Sequence, residues 1–121
     1  MKTILIIAVL LVLTYAAITA WSKHKVSASL PQLVANGAII LDVRTEKEFS
    51  GAHIPGAVNI SLGRIREDYR LLDSSKTYIT CCSHGLRSVK VADILKEKGF
   101  KHVFNGGAWT DLQEALSVKQ H

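Results

Sequence analysis

The chain has 121 residues, 48% of them apolar, with fifteen Lys or Arg against ten Asp or Glu. That length holds one folded domain, not two. Setting aside Lys2, Lys23 and Lys25 leaves twelve basic residues, so the net charge falls from +5 to +2. This near-balance gives no electrostatic case for nucleic-acid binding.

Thr3–Ser22 is free of charged residues and is flanked by Lys2 and by Lys23-His24-Lys25. As a helix it would be about 30 Å long, enough to cross a bilayer. It also fits a secretory signal, with a dense apolar run at Ile4–Leu13 and smaller residues up to Ala20. Trp21 and the basic residues after it suit a membrane interface, so an uncleaved anchor through residues 4–21 is the preferred expectation. Localisation is therefore expected to be membrane-anchored or exported (periplasmic in a bacterium). The domain division is 1–25 as signal peptide or transmembrane anchor, 26–116 as domain and 117–121 as a polar tail.

After the leader, Ser27 or Ser29 can cap a short helix over Leu30–Ala35, with Pro31 in its first turn and Gly37 past its end. Ala38–Val43 is a nearly unbroken apolar run, as in a strand buried on both faces. Thr45 and Glu48 fit a capping box, so a short helix starts there. Gly51–Ala57 is a turn-rich link and Ala57–Ile60 a short strand. Ser61 can cap a helix over Leu62–Leu71. Lys76–Thr80 is β-branched and aromatic, hence a strand, and Ser88–Lys96 has apolar residues at helical spacing with Gly99 as its stop. Phe100–Phe104 reads as a strand, Asn105-Gly106-Gly107-Ala108 as a glycine turn, and Trp109–Leu116 as a helix. The alternation predicts an α/β domain with a mainly parallel sheet and helices on both sides.

Chemistry concentrates at Cys81-Cys82-Ser83-His84-Gly85-Leu86-Arg87-Ser88, between a strand end and a helix start. Ligands gather at such strand ends in parallel sheets. Backbone N–H groups converge there, and the helix dipole favours negative charge. A cysteine in that cradle ionises easily, and its thiolate is a nucleophile. Arg87 adds positive charge, His84 adds more when protonated, and Gly85 lets the backbone turn inward. Leu86 makes the loop less polar. The cysteines are neighbours, with Cα atoms about 3.8 Å apart. That is below the usual disulfide range of roughly 4.4–6.8 Å, so one reactive and one packing thiol are expected. Counted from Cys82 the pattern is Cys-x-x-Gly-x-Arg-Ser; counted from Cys81 it is Cys-x5-Arg, the spacing of cysteine-dependent phosphatases.

The Cys82 frame resembles the active-site loop of the rhodaneses, the thiosulfate sulfurtransferases. Two further stretches are similar to that family: Leu41–Arg44 through Glu48-Phe49 to His53–Ile60, and Gly99-Phe100 through Asn105–Trp109. Together they cover about Val26–Leu116, and the type is the small, single-domain, exported or membrane-anchored one of the phage-shock kind. The resemblance implies a five-stranded parallel sheet flanked by helices, with Cys82 as the nucleophile. It implies transfer of the outer sulfur of thiosulfate, or of a related sulfane-sulfur donor, to cyanide or a thiol through a Cys82 persulfide. Ser83, His84, Gly85, Leu86, Arg87 and Ser88 would then bind the donor, with Asp42 and Arg44 in support through structural hydrogen bonds or an ion pair beside the loop. His53 reads as a turn histidine, Gly106 and Gly107 as turn formers, and Trp109 as core. His24, His102 and His121 have no ligand spacing, so neither a metal nor another cofactor is expected. A monomeric domain is expected. The rival functions are a phosphatase or arsenate reductase using Cys81, and a non-catalytic persulfide carrier or redox sensor.

Overall fold

The computed structural model describes residues 1–118, with the side chains of residues 21–29 and 118 left aside. Helix α1 runs over Lys2–Ala35. The leader and the short helix expected at Leu30–Ala35 are thus one helix, and Pro31 lies inside it. The expected caps at Ser27 and Ser29 lie outside the described side chains, as do Trp21 and His24. Within α1, Lys2–Ala20 is long and apolar enough to cross a membrane, and none of it is buried in the fold. The helix ends where Ala38 N donates to Leu33 O at 2.9 Å and Gly37 takes a φ of +102°, a left-handed stop that suits glycine.

Four strands follow: β1 (Ile39–Asp42), β2 (Val58–Asn59), β3 (Tyr78–Cys82) and β4 (Val103–Ala108). They pair in parallel in the order β2-β1-β3-β4. The four correspond to the four apolar or β-branched runs. The fifth strand that the resemblance implied has no counterpart among the described residues, because the chain ahead of β1 is helix. The helices are α2 (Glu46–Gly51), α3 (Ile65–Asp68), α4 (Leu86–Glu97) and α5 (Trp109–Val118). The tail beyond Val118 lies outside the described residues, and Ser117 belongs to α5.

Side chains alternate across the sheet and build two cores. On one face, Leu41, Val43, Tyr78, Cys82 and Val103 pack with Ile65 of α3 and with Val91, Ala92, Ile94 and Leu95 of α4. On the other, Ile40, Ile79 and Cys81 pack with Leu30 of α1 and Leu112 of α5. Each large aliphatic side chain buried this way stabilises the fold by about 1.5–3 kcal/mol. The central strand β3 is buried along its whole length, so its C-terminal end is held from both sides.

Two local readings change. The helix expected over Leu62–Leu71 starts late, as α3 followed by a short 3₁₀ turn at Tyr69–Leu71, and Ser61 does not cap it. Leu62 N donates instead to Val43 O at 3.1 Å, which keeps the chain running beside β1 past the point where a helix could begin. The glycine turn expected at Asn105–Ala108 is part of β4, which carries a bulge: Thr80 pairs with Asn105, and Cys82 with Ala108. Gly106 is required there by contact. A Cβ on it would sit 2.8 Å from both Thr80 O and Ile79 Cγ2. Gly107, with a φ of +77°, turns the strand back.

Candidate active site

Cys82 is the last residue of β3, and Gly85, with a φ of +93°, sits directly before α4. That conformation is costly for any residue with a Cβ. It lets the Gly85 N–H donate to Cys82 Sγ at 2.9 Å. Ser88, fully buried in the first turn of α4, lies with its hydroxyl 3.5 Å from the same sulfur. Burial pushes the Cys82 thiol up. Hydrogen bonding with the Ser88 hydroxyl and from the backbone N–H groups of Ser88, His84 and Gly85 outweighs it, leaving the thiol below its ordinary value.

Cys81 differs although it is equally buried. Its side chain enters the opposite core, among Ile40, Ile54 and Leu112. Burial first, and the Asp42 carboxylate next, push its thiol up to about 12. The neighbours therefore face opposite sides of the sheet, and both are free thiols.

Ser88 has one hydroxyl hydrogen and three partners. Its oxygen lies 2.7 Å from Asn105 Oδ1, 2.9 Å from Gly85 O and 3.5 Å from Cys82 Sγ. Asn105 Oδ1 also accepts from Gly107 N at 3.0 Å, so the bulge of β4 is tied to the Cys82 loop through this amide. Reading the segment as a plain turn misses Asn105; only the bulge brings it under α4.

Arg87 is not a free cation. Its guanidinium meets the Glu48 carboxylate in a fork, Nη1 to Oε1 at 2.8 Å and Nη2 to Oε2 at 3.1 Å. Nη2 also donates to Ser83 Oγ, and the Ser83 hydroxyl donates to Glu48 Oε2, both at 3.1 Å. Glu48 is held in turn by the capping box of α2, through Thr45 N and Thr45 Oγ1 at 3.0 Å each. Arg87 first, and Thr45 next, hold its carboxyl well below the usual carboxylate range. His84 and Leu86 are exposed at the rim.

Asp42 and Arg44 form a buried ion pair. Arg44 Nε donates to Asp42 Oδ1 at 3.0 Å and Nη2 to Oδ2 at 2.7 Å. The guanidinium also donates to Ala52 O at 2.7 Å and lies 4.7 Å over the Trp109 ring. The pair thus joins the end of β1 to α2 and α5. His53 is exposed, stacked on Phe49, with Nδ1 2.7 Å from Phe49 O, in the role of a turn residue.

The rhodanese-like domain family model matches residues 27–114. The chain is 32% identical over 74 residues to the thiosulfate sulfurtransferase GlpE of Haemophilus influenzae, covering 61% of this chain and 70% of that one. It is 30% identical over 92 residues to the tRNA sulfurtransferase of Thermoplasma acidophilum, a match that takes in 76% of this chain but spans only 18% of that much longer protein. Among solved structures, a rhodanese with anions from E. coli superposes with a TM-score of 0.56 at 31% identity, over 62% of this chain and 91% of that one. With a four-stranded parallel sheet and this loop after its central strand, the chain belongs to the rhodanese-like domain family.

Proposed function

We propose that the domain at residues 26–116 is a sulfurtransferase working through a Cys82 persulfide. The Cys82 thiolate attacks the outer sulfur of thiosulfate or a related sulfane-sulfur donor. The S–S bond of the donor breaks, and the remainder of the donor, sulfite in the case of thiosulfate, leaves with the electron pair. A thiol, or cyanide in an assay, then takes the outer sulfur and returns the thiolate. No general base is needed when the thiolate is already formed.

The observation that carries this reading is the Gly85 N–H aimed at Cys82 Sγ at 2.9 Å, in a loop that depresses the thiol. The same amides suit the negative charge of a persulfide, and a single preorganised donor of this type is worth about 3–4 kcal/mol in other enzymes. The names of the sulfurtransferase relatives and the anions reported with the E. coli rhodanese point the same way. We assign Ser83, His84, Leu86 and Arg87 to the mouth of the donor site, and Asp42 and Arg44 to its support. Residues 1–25 act as an anchor or an export signal in this reading, on the length and apolar character of Lys2–Ala20.

Mass spectrometry of thiosulfate-treated protein tests it. The peptide containing Cys82 gains one sulfur atom, and cyanide removes it as thiocyanate. A persulfide that forms without catalytic turnover of thiosulfate and cyanide marks a carrier, and an unmodified Cys82 contradicts the reading.

A further inference from the structure

The Glu48–Arg87 fork bears on which donor the site accepts; the inference rests on the sulfurtransferase reading above. An arginine beside a nucleophilic thiolate is expected to draw in dianions. Here its charge is already matched, because two nitrogens of Arg87 are taken by one carboxylate. That carboxylate is not a mobile surface group. It takes five hydrogen bonds: two from Thr45, one from Ser83 and two from Arg87. Thr45 also starts α2, so the charge is anchored on a helix N-terminus and reaches across to the loop. Ser83, the residue after Cys82, shares hydrogen bonds with both members of the pair. A donor approaching Cys82 therefore meets a matched Glu48–Arg87 pair beside the loop, and no uncompensated guanidinium.

We infer that Glu48 is a specificity-determining residue, which makes the site favour sulfane-sulfur donors of low negative charge, such as monoanionic thiosulfonates, over dianionic thiosulfate. The chemistry is the same for both. The Cys82 thiolate bonds to the terminal sulfur, the donor S–S bond breaks, and the electron pair leaves on sulfinate in one case and on sulfite in the other. Both donors present a terminal sulfur on a sulfonyl-type sulfur, and the change in the ratio of their rates on altering Glu48 reads their difference in charge.

The test compares kcat/KM for thiosulfate and for methanethiosulfonate in the native protein and in Glu48→Gln. Glutamine suits the same capping position and keeps an oxygen for Arg87 and Ser83. Removing this charge leaves the Arg87 guanidinium uncompensated and shifts the preference toward thiosulfate by about five- to tenfold. A second arm needs no variant. In the native protein the matched pair predicts a thiosulfate preference that does not fall as salt rises from about 20 to about 500 mM, because no uncompensated guanidinium is there to be screened. A purely structural role for Glu48 would lower both rates together and leave their ratio unchanged. A ratio unchanged in Glu48→Gln, or a preference for thiosulfate that falls with salt, overturns the inference while leaving sulfur transfer intact. A native protein inert with both donors overturns the sulfurtransferase reading and this inference with it.

Discussion

Cys82→Ser loses thiosulfate:cyanide activity by more than about 10³-fold, as removal of a covalent nucleophile does elsewhere, whereas Cys81→Ser keeps activity per folded molecule within about twofold. The difference follows from the alternation of β3. Both cysteines are buried, so exposure does not separate them. Their surroundings do. Cys82 Sγ receives the Gly85 N–H and faces Ser88, while Cys81 lies among aliphatic side chains with its thiol pushed up to about 12. A hydroxyl at position 81 costs stability, about 1–3 kcal/mol for burying a polar group with poor partners, so activity is normalised to folded protein. The reverse pattern, with Cys81→Ser inactive and Cys82→Ser active, would move the nucleophile to the longer, phosphatase-spaced frame.

Asp42→Ala destabilises the domain by about 3–5 kcal/mol, the cost of leaving a buried cation without its partner. Asp42 is fully buried and Arg44 is 4% exposed, so water cannot take the place of the lost carboxylate. Asp42 accepts from Arg44 Nε, Nη2 and the backbone N–H, and its loss leaves the guanidinium with Ala52 O, Glu48 O at 3.5 Å and the Trp109 ring. Removing both charges in Asp42→Leu/Arg44→Met costs much less than the single change, because no stranded charge remains. Urea denaturation reads both variants. A loss under about 1 kcal/mol for Asp42→Ala would show that Arg44 escapes to solvent and that the pair does not join β1 to α2 and α5.

The features legible in the sequence are those set by local chemistry. The run Tyr78–Thr80, the glycine at 85 and the apolar spacing of Val91, Ile94 and Leu95 mark strand, turn and helix within a few residues of Cys82. Thr45 and Glu48 announce their capping box in the same way, and it is present. What the sequence hides is the second use of a residue. Glu48 reads fully as a cap, and its fork to Arg87 spans 39 positions that only the sheet brings together. The available signal was Arg87 itself, a cation in a tight loop that needs a partner. Asn105 is hidden for a different reason: flanking glycines signal a turn, while the close approach of Gly106 to β3 makes the segment a bulged strand. Ser61 fails as a cap because a backbone bond from Leu62 to Val43 wins over helix initiation.

The pH dependence of alkylation by iodoacetamide, assigned to each cysteine from the fragment ions of the peptide that holds both, tests the central claim most directly. A thiolate reacts and a thiol does not, so the rate at each cysteine falls as pH drops through its own pKa. For Cys82 the fall comes on the acid side of the ordinary cysteine range, and Cys81 stays unmodified in the folded protein. If Cys82 titrates at or above the range of an ordinary thiol, or the two cysteines react together, the loop does not hold a thiolate at residue 82 and the account is contradicted.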